Sequence, residues 1–439
     1  MTAPADVAVI GGGPAGSTAA ALLAAQGRRV VLFEKETFPR FHIGESLLPF
    51  NMDLFRRLGI VDRLEASFVE KHGAILMSSD GSVSRYISFD QGIVPGYPYA
   101  FQVLRSRFDE MLLQRAVELG AEAHQGYEVV DATCSARAGC ELVVRRPQDA
   151  TPRRVQARFL LDASGRDAFI ASRRGLRRMT PHLRKAAVFA HYEGIPRAEG
   201  KRGGDIILIT LSNGWFWVIP LAGGVTSVGL VGDGSMLKQS GLAPEALLEE
   251  ALRRCPAARR LTASARRISP VRSASDYSYE CRDVAGDGYL LLGDAAAFID
   301  PIFSSGVWLA MSSGAMAADS VHAAMGTNGA PADLSRARFR SYERKVRTHV
   351  GTFLRVVSRF YEPRFMDVFL TPTARFSLRE AVTSLLAGNV EPTLGVRARL
   401  ELFYTILKLQ RRVRICEEVP LLATLEAGES ADQASSVHP

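Results

Sequence analysis

Residues 6–34, "DVAVIGGGPAGSTAAALLAAQGRRVVLFE", constrain the fold more tightly than any other stretch. An apolar run, Val7 to Ile10, leads into Gly11-x-Gly13-x-x-Gly16; an alanine-rich segment of helical character continues to Gln26, Gly27 stops it, and a second β-branched run ends at Glu34. Strand, turn, helix and strand in that order predict a dinucleotide-binding βαβ unit. Gly11 serves the tight turn, Gly13 lets backbone amides approach a pyrophosphate, and Gly16 permits close helix packing. Glu34 falls where a carboxylate accepts ribose hydroxyls, which disfavours a 2′-phosphate and leaves FAD or NAD.

With 439 residues, 47% of them hydrophobic, the chain can bury a large core and divide into two or three domains. The net charge of +8 reflects 54 Lys and Arg against 46 Asp and Glu, with arginines dispersed through the last third. No zinc-finger spacing or aromatic-interleaved basic patch accompanies them, so no nucleic acid partner is expected. Cys134, Cys140, Cys255, Cys281 and Cys416 form no C-x-x-C pair and predict reduced thiols and no metal centre. The residues before Asp6 are not a basic signal region, and no apolar run reaches ~18 residues. No membrane association and a cytoplasmic location are expected.

Three further signals bear on the cofactor. "RFLLDASGR" (158–166) is an apolar strand ending in Asp162, Gly165 and Arg166, "DGYLLLGDA" (287–295) is one ending in Gly293 and Asp294, and "VLRSRFDEMLL" (103–113) sets Arg105 at a helix head. The glycine fingerprint and the two strand ends, in chain order, resemble the discontinuous FAD domain of the group A flavoprotein monooxygenases, and the 103–113 helix fits it too. The resemblance implies FAD, with Arg105 and Asp294 near it. A second strand-linked G-x-G-x-x-G is missing from the sequence, so either NAD(P)H visits transiently or reduced flavin arrives from a separate reductase.

"GWFWVIP" (214–220) sets Trp215 and Trp217 on one side of a strand by period two, which in isolation reads as core packing. "FIDPIFSSG" (298–306) follows the Gly293-Asp294 strand end with the pattern Phe298-x-x-Pro301-x-x-Ser304-x-Gly306; amides at such a helix start make an anion nest, or else hold the flavin's pyrimidine oxygens. "SFVEKHGAIL" (67–76) places Lys71 before an apolar strand, where a lysine in isolation reads as a solvated loop charge.

Together with "FPRFHIGESLLP" (38–49), these stretches resemble the flavin-dependent halogenases, in particular their phenol and carrier-bound pyrrole branch, from residue 6 to about residue 350. The resemblance implies FAD supplied reduced as FADH2 by a separate NAD(P)H-dependent flavin reductase, with O2 and chloride or bromide as co-reactants. Hypohalous acid then halogenates an electron-rich aromatic ring in natural-product biosynthesis.

The cofactor set it implies is Gly11, Gly13, Ala15, Gly16, Glu34, Lys35, Arg40, Glu45, Ser46, Arg105, Asp294, Pro301 and Gly306. Ser304, Ser305 and Gly306 would hold the halide, Lys71 would engage the halogenating species, and Trp215 and Trp217 would separate flavin from substrate. Phe303 stands where the tryptophan-acting branch carries a glutamate, which favours a phenol or pyrrole. Asp300 is expected to cap the following helix. Free and carrier-tethered substrates both stay open. The competing activities are an FAD aromatic monooxygenase and a reductase resembling geranylgeranyl reductases.

The expected fold is α/β: a Rossmann-type FAD-binding domain (1–74, 101–181 and 271–330) with an inserted antiparallel β-sheet substrate domain (75–100 and 182–270). A C-terminal helical module (331–428) and a disordered tail (429–439) follow. His182, His191 and Tyr192 are candidate cavity-lining groups without a catalytic role. Arg397, Arg399, Arg411 and Arg412 read either as a solvated helix face or as a surface for an acidic carrier.

Overall fold

The computed structural model describes residues 4–91, 98–149, 151–326, 332–362, 364–370, 378–391 and 393–422; the expected tail, 429–439, lies outside them. The chain opens with β1 (Ala5–Ile10), α1 (Pro14–Ala25) and β2 (Val30–Glu34). β1 pairs in parallel with β2 and with the strand Arg153–Asp162, which pairs in parallel with Tyr289–Leu291. Segments as much as 281 residues apart thus deliver the ends that precede Gly11, Ala163 and Leu292 to one edge of an eight-stranded sheet. Ligands of such sheets bind at that carboxyl edge.

Val7, Ala8 and Val9 are wholly buried, as a strand covered on both faces requires, so the run is apolar without alternation. α1 lies unusually close to its neighbours. A Cβ on Gly16 would sit 1.9 Å from the Gly11 carbonyl oxygen, and one on Gly314 would sit 2.5 Å from that of Ala15. The glycines therefore set the distances between β1, α1 and the helix Ser305–Ala324.

The second sheet has nine strands, in the order 297–298, 272–281, 177–193, 225–233, 214–220, 206–210, 73–78 and 84–88, with 266–267 beside 177–193. It was expected to be antiparallel throughout. One pair is parallel, Ile206–Thr210 beside Gly73–Ser78. More than a hundred residues, including much of the first sheet, intervene between these strands, and a long crossover is what parallel pairing needs. The sheet also takes in Arg272–Cys281, inside the 271–330 segment assigned from sequence to the FAD-binding domain.

Alternation across Gly214–Pro220 is strict. Trp215, Trp217 and Ile219 join the large core cluster toward the first sheet, whereas Phe216 and Val218 pack with Leu247, Leu248 and Ala251 of the helix Pro244–Arg254 on the other face. From residue 340 to 410 the described residues are mainly helical. Arg340–Phe360 buries Tyr342, Val346, Val350, Phe353 and Val357 along one stripe, and Leu378–Leu386 and Leu394–Gln410 follow.

Gly16→Ala must force apart two main-chain segments. It is expected to cost ~1–3 kcal/mol by urea denaturation and to weaken FAD binding, read by flavin fluorescence.

Candidate active site

The carboxyl edge of the first sheet and the inner face of the second enclose a cavity of about 560 Å³. Of the residues expected at the cofactor, Gly11, Gly13, Ala15, Glu34, Lys35, Arg40, Glu45, Ser46, Arg105, Asp294, Pro301 and Gly306 line it; Gly16 lies behind the wall. Trp215, Trp217 and Ser304 line it too, whereas Lys71 and Ser305 do not.

The nucleotide end follows from the turn after β1. Gly11 has φ +98°, a conformation only glycine adopts without strain. No side chain caps the first turn of α1, so its amides are left for an anion in the cavity. Glu34 is fixed by two backbone donors, Gly12 N–H on Oε2 at 2.7 Å and Glu36 N–H on Oε1 at 2.9 Å, while still facing the cavity. These groups fit the pyrophosphate and ribose of FAD.

Beside them lies a buried charge cluster. Arg105 donates through Nε and Nη2 to the two oxygens of Asp109, at 2.7 and 2.9 Å, and through Nη1 to the Ile43 carbonyl at 2.6 Å. Arg40 adds a third contact to Asp109, at 3.1 Å. Burial would raise the Asp109 carboxyl, but the charge and hydrogen bonds of Arg105, with Arg40, hold it below its ordinary range. Asp109 was not singled out from sequence, although its i,i+4 spacing from Arg105 was visible. Glu45, also buried, pairs through Oε1 with His191 Nε2 at 2.9 Å.

At the other end, Asp300 caps the short turn Pro301–Phe303 through Ile302 N–H at 3.0 Å, not the long helix after it. The reason is Ser304, whose φ of +57° turns the chain before Ser305–Ala324 begins. That helix start carries no side-chain cap. The Ser305 hydroxyl is buried without a hydrogen-bond partner among the described residues, and a Cβ on Gly306 would meet nothing within 4 Å. An uncapped first turn at the positive end of a twenty-residue helix, with open space over Gly306, suits a small anion.

The indoles stand across from this loop with ring centroids 5.8 Å apart. Trp217 donates to Ser227 Oγ at 3.1 Å and lies over Gly229, where a Cβ would be 2.2 Å from the ring. Trp215 donates to the Tyr361 hydroxyl at 2.9 Å, and that hydroxyl donates to Asp300 Oδ2 at 2.8 Å. Tyr361 therefore ties the tryptophan strand and the anion loop to the end of the helix Arg340–Phe360. No local pattern marks Tyr361 in the sequence.

Lys71 corrects the picture of a loop charge. It ends the short strand Val69–Lys71, is 2% exposed, and donates to Ser46 Oγ at 2.9 Å and the Leu47 carbonyl at 3.1 Å. Burial pushes its amine down to about 7, against a weaker opposing pull from Asp205. Asp205 is itself buried and accepts the His72 and Gly73 N–H groups.

This cavity and its walls are those of a flavoprotein, and the FAD-binding domain family matches residues 4–352. The chain is 31% identical over 409 residues to a 1H-pyrrole-2-carbonyl-[peptidyl-carrier protein] chlorinase of Pseudomonas fluorescens, an alignment that spans 88% of this chain and 89% of that one. It is 34% identical over 338 residues to the corresponding brominase of Pseudoalteromonas luteoviolacea, covering 74% and 78%. The solved structure of a flavin-dependent brominase superposes with a TM-score of 0.82 at 28% identity, over 93% of this chain and all of that one. The chain belongs to the flavin-dependent halogenases. Among the described residues no helix is long and apolar enough to cross a membrane.

Two outcomes are expected. Tyr361→Phe strands the buried Trp215 N–H and should cost ~1–3 kcal/mol in denaturant melts, much less so in a Trp215→Phe background. The Lys71 amine titrates at about 7 in the fold against an ordinary 10.5, so its charge opposes folding fully below pH 7 and ceases to by pH 10.5. Lys71→Met should therefore gain more stability below pH 7 than near pH 10.5, measured by the same melts at both pH values.

Proposed function

We propose that this halogenase acts on an electron-rich ring presented as a carrier-bound thioester, with pyrrole-2-carbonyl the favoured ring. The observation that carries this reading is the chlorinase alignment, which spans nearly all of both chains and whose relative is named for that substrate. Phe303 supports it. Its ring meets Phe360 edge-on, with centroids 5.7 Å apart, and gives the halide loop an apolar wall without a carboxylate at that position. An activated ring such as pyrrole needs less help in losing its proton.

When bound, reduced FAD supplies, with dioxygen, the oxidising power that converts halide into hypohalous acid. The chain's own residues do the rest. The first turn of α1 and Glu34 hold the dinucleotide, and the turn from Ser304 to Gly306 holds chloride or bromide on its amides. Trp215 and Trp217 fill the space through which a ring would otherwise lie against the flavin, so only a small species passes. Lys71 engages that species beyond them, where burial leaves its amine able to give or take a proton near neutral pH. FADH2 is delivered by a separate NAD(P)H-dependent reductase, in keeping with a single strand-linked glycine fingerprint in the sequence. The cytoplasm, which holds that reductase and its carrier, is the proposed location.

The test supplies photoreduced FAD, oxygen and bromide to the protein with pyrrole-2-carbonyl carrier thioester, or with free pyrrole-2-carboxylate, and reads the products by mass. Bromine on the carrier-bound ring is expected. Bromine on the free acid alone would remove the carrier, and oxygen in place of bromine would make the protein a monooxygenase.

A further inference from the structure

The Lys71 amine has three neighbours in hydrogen-bond or cation–π reach: Ser46 Oγ at 2.9 Å, the Leu47 carbonyl at 3.1 Å and the face of Phe89, with the centroid 5.2 Å away. An ammonium has three protons, and these contacts account for all of them. Lys71 does not line the cavity, whereas Ser46 does. Ser46 is also held still. Its backbone bridges Gln102, and the residues either side are tied by Val103 N–H to the Glu45 carbonyl at 2.7 Å and Leu47 N–H to the Phe101 carbonyl at 3.0 Å.

We propose that Ser46 is the group through which Lys71 reaches the halogenating species. The idea rests on the reading above, that Lys71 acts in halogen transfer. A hydroxyl can accept from an ammonium while donating elsewhere, or donate to a free amine, so it conducts a proton in either direction.

In the transfer, Ser46 O–H donates to the oxygen of hypohalous acid. As the O–X bond breaks and the ring C–X bond forms, that oxygen takes the Ser46 proton and leaves as water, and the Lys71 ammonium refills the serine. The ring carbon then loses its own proton, which passes back by the same hydroxyl to the Lys71 amine. Ring C–H and HOX become ring C–X and water, with the ring oxidised by two electrons and the halogen reduced by two.

The charges that set the amine's proton affinity come from every side. Asp205 faces it from just before the strand Ile206–Thr210, and Arg202 of the preceding turn, Gly200–Gly204, covers Tyr86. Glu45, paired with His191, precedes Ser46, and Glu70, paired with His72, lies on the lysine's own strand. Asp90 follows Phe89 and takes the Ser88 hydroxyl. Among the described residues the amine's hydrogen bonds go to Ser46 Oγ and the Leu47 carbonyl and to none of these carboxylates, which leaves Ser46 as its side-chain hydrogen-bond partner.

The experiment compares wild type, Ser46→Ala, Ser46→Thr and Lys71→Ala, each loaded with photoreduced FAD, bromide and oxygen. Ring bromination of pyrrole-2-carbonyl pantetheine is measured across pH, and escaped hypobromous acid is trapped with a 1,3-dione. Titration of the Lys71 15Nζ resonance in flavin-free protein gives a readout independent of turnover.

With FAD occupancy measured for each variant and rates taken per bound flavin, Ser46→Ala is expected to raise the share of hypobromous acid reaching the trap, while ring bromination falls ~100-fold. Loss of an acceptor should also move the lysine titration, and the alkaline limb of the pH profile, to lower pH. Ser46→Thr restores both. Wild-type bromination and an unmoved limb in Ser46→Ala, with Lys71→Ala inactive, would overturn the relay and leave the lysine reading intact. Wild-type bromination in Lys71→Ala would sink that reading and the relay with it. If Ser46→Ala cannot hold FAD, the isosteric Thr and Val variants decide, and equal rates for the two overturn the relay.

Discussion

The site depends on Arg105 and Asp109 being buried together. A guanidinium and a carboxylate out of water are costly unless each satisfies the other, and here a two-pronged contact does so with Arg40 closing the remaining side. What that arrangement gains is control of the irregular stretch after β2. Arg105 grips the Ile43 carbonyl, and the same stretch carries Glu45 onto His191 and Ser46 onto Lys71. A stretch whose ladder contacts are limited to one bridge, Ser46 with Gln102, is thereby held from its other side as well.

A second fixed point stands opposite. Tyr361 joins an indole of the second sheet, the acid that caps the Pro301–Phe303 turn and the last turn of a C-terminal helix. Its hydroxyl is held well above its ordinary range by burial and by the Asp300 charge, so it remains a donor. The two fixed points face each other across the cavity. One fixes the stretch that carries Glu45 and Ser46 beside the Lys71 amine, and the other fixes the loop proposed for the halide.

Much of this was legible in the sequence for identifiable reasons. The βαβ unit announces itself because sterics leave Gly11 and Gly16 no substitute, and period two places Trp215 and Trp217 together without knowledge of their partners. Lys71 was found by its position in a motif, but its depth was not, since burial is decided by Ser46, Phe89 and Asp205, all distant in the chain. The parallel pair 206–210 with 73–78 was hidden because nothing local in a strand reports its partner's direction. Tyr361 was hidden for the same reason: its two hydrogen bonds reach 146 and 61 residues away. Helix caps assigned by spacing fail where the backbone turns left-handed, as Ser304 does between Asp300 and the helix it was expected to cap.

The contact between Trp217 and Gly229 has a consequence for reshaping the cavity. The two residues face each other in register on adjacent strands, and the ring occupies the space a side chain at 229 would need. Volume at this wall is therefore shared between two strands, not owned by one residue. Trimming position 217 opens a slot that a bulkier residue at 229 can refill from the other side, so the pocket's shape can be redrawn along this wall while the anion loop and the amine keep their places.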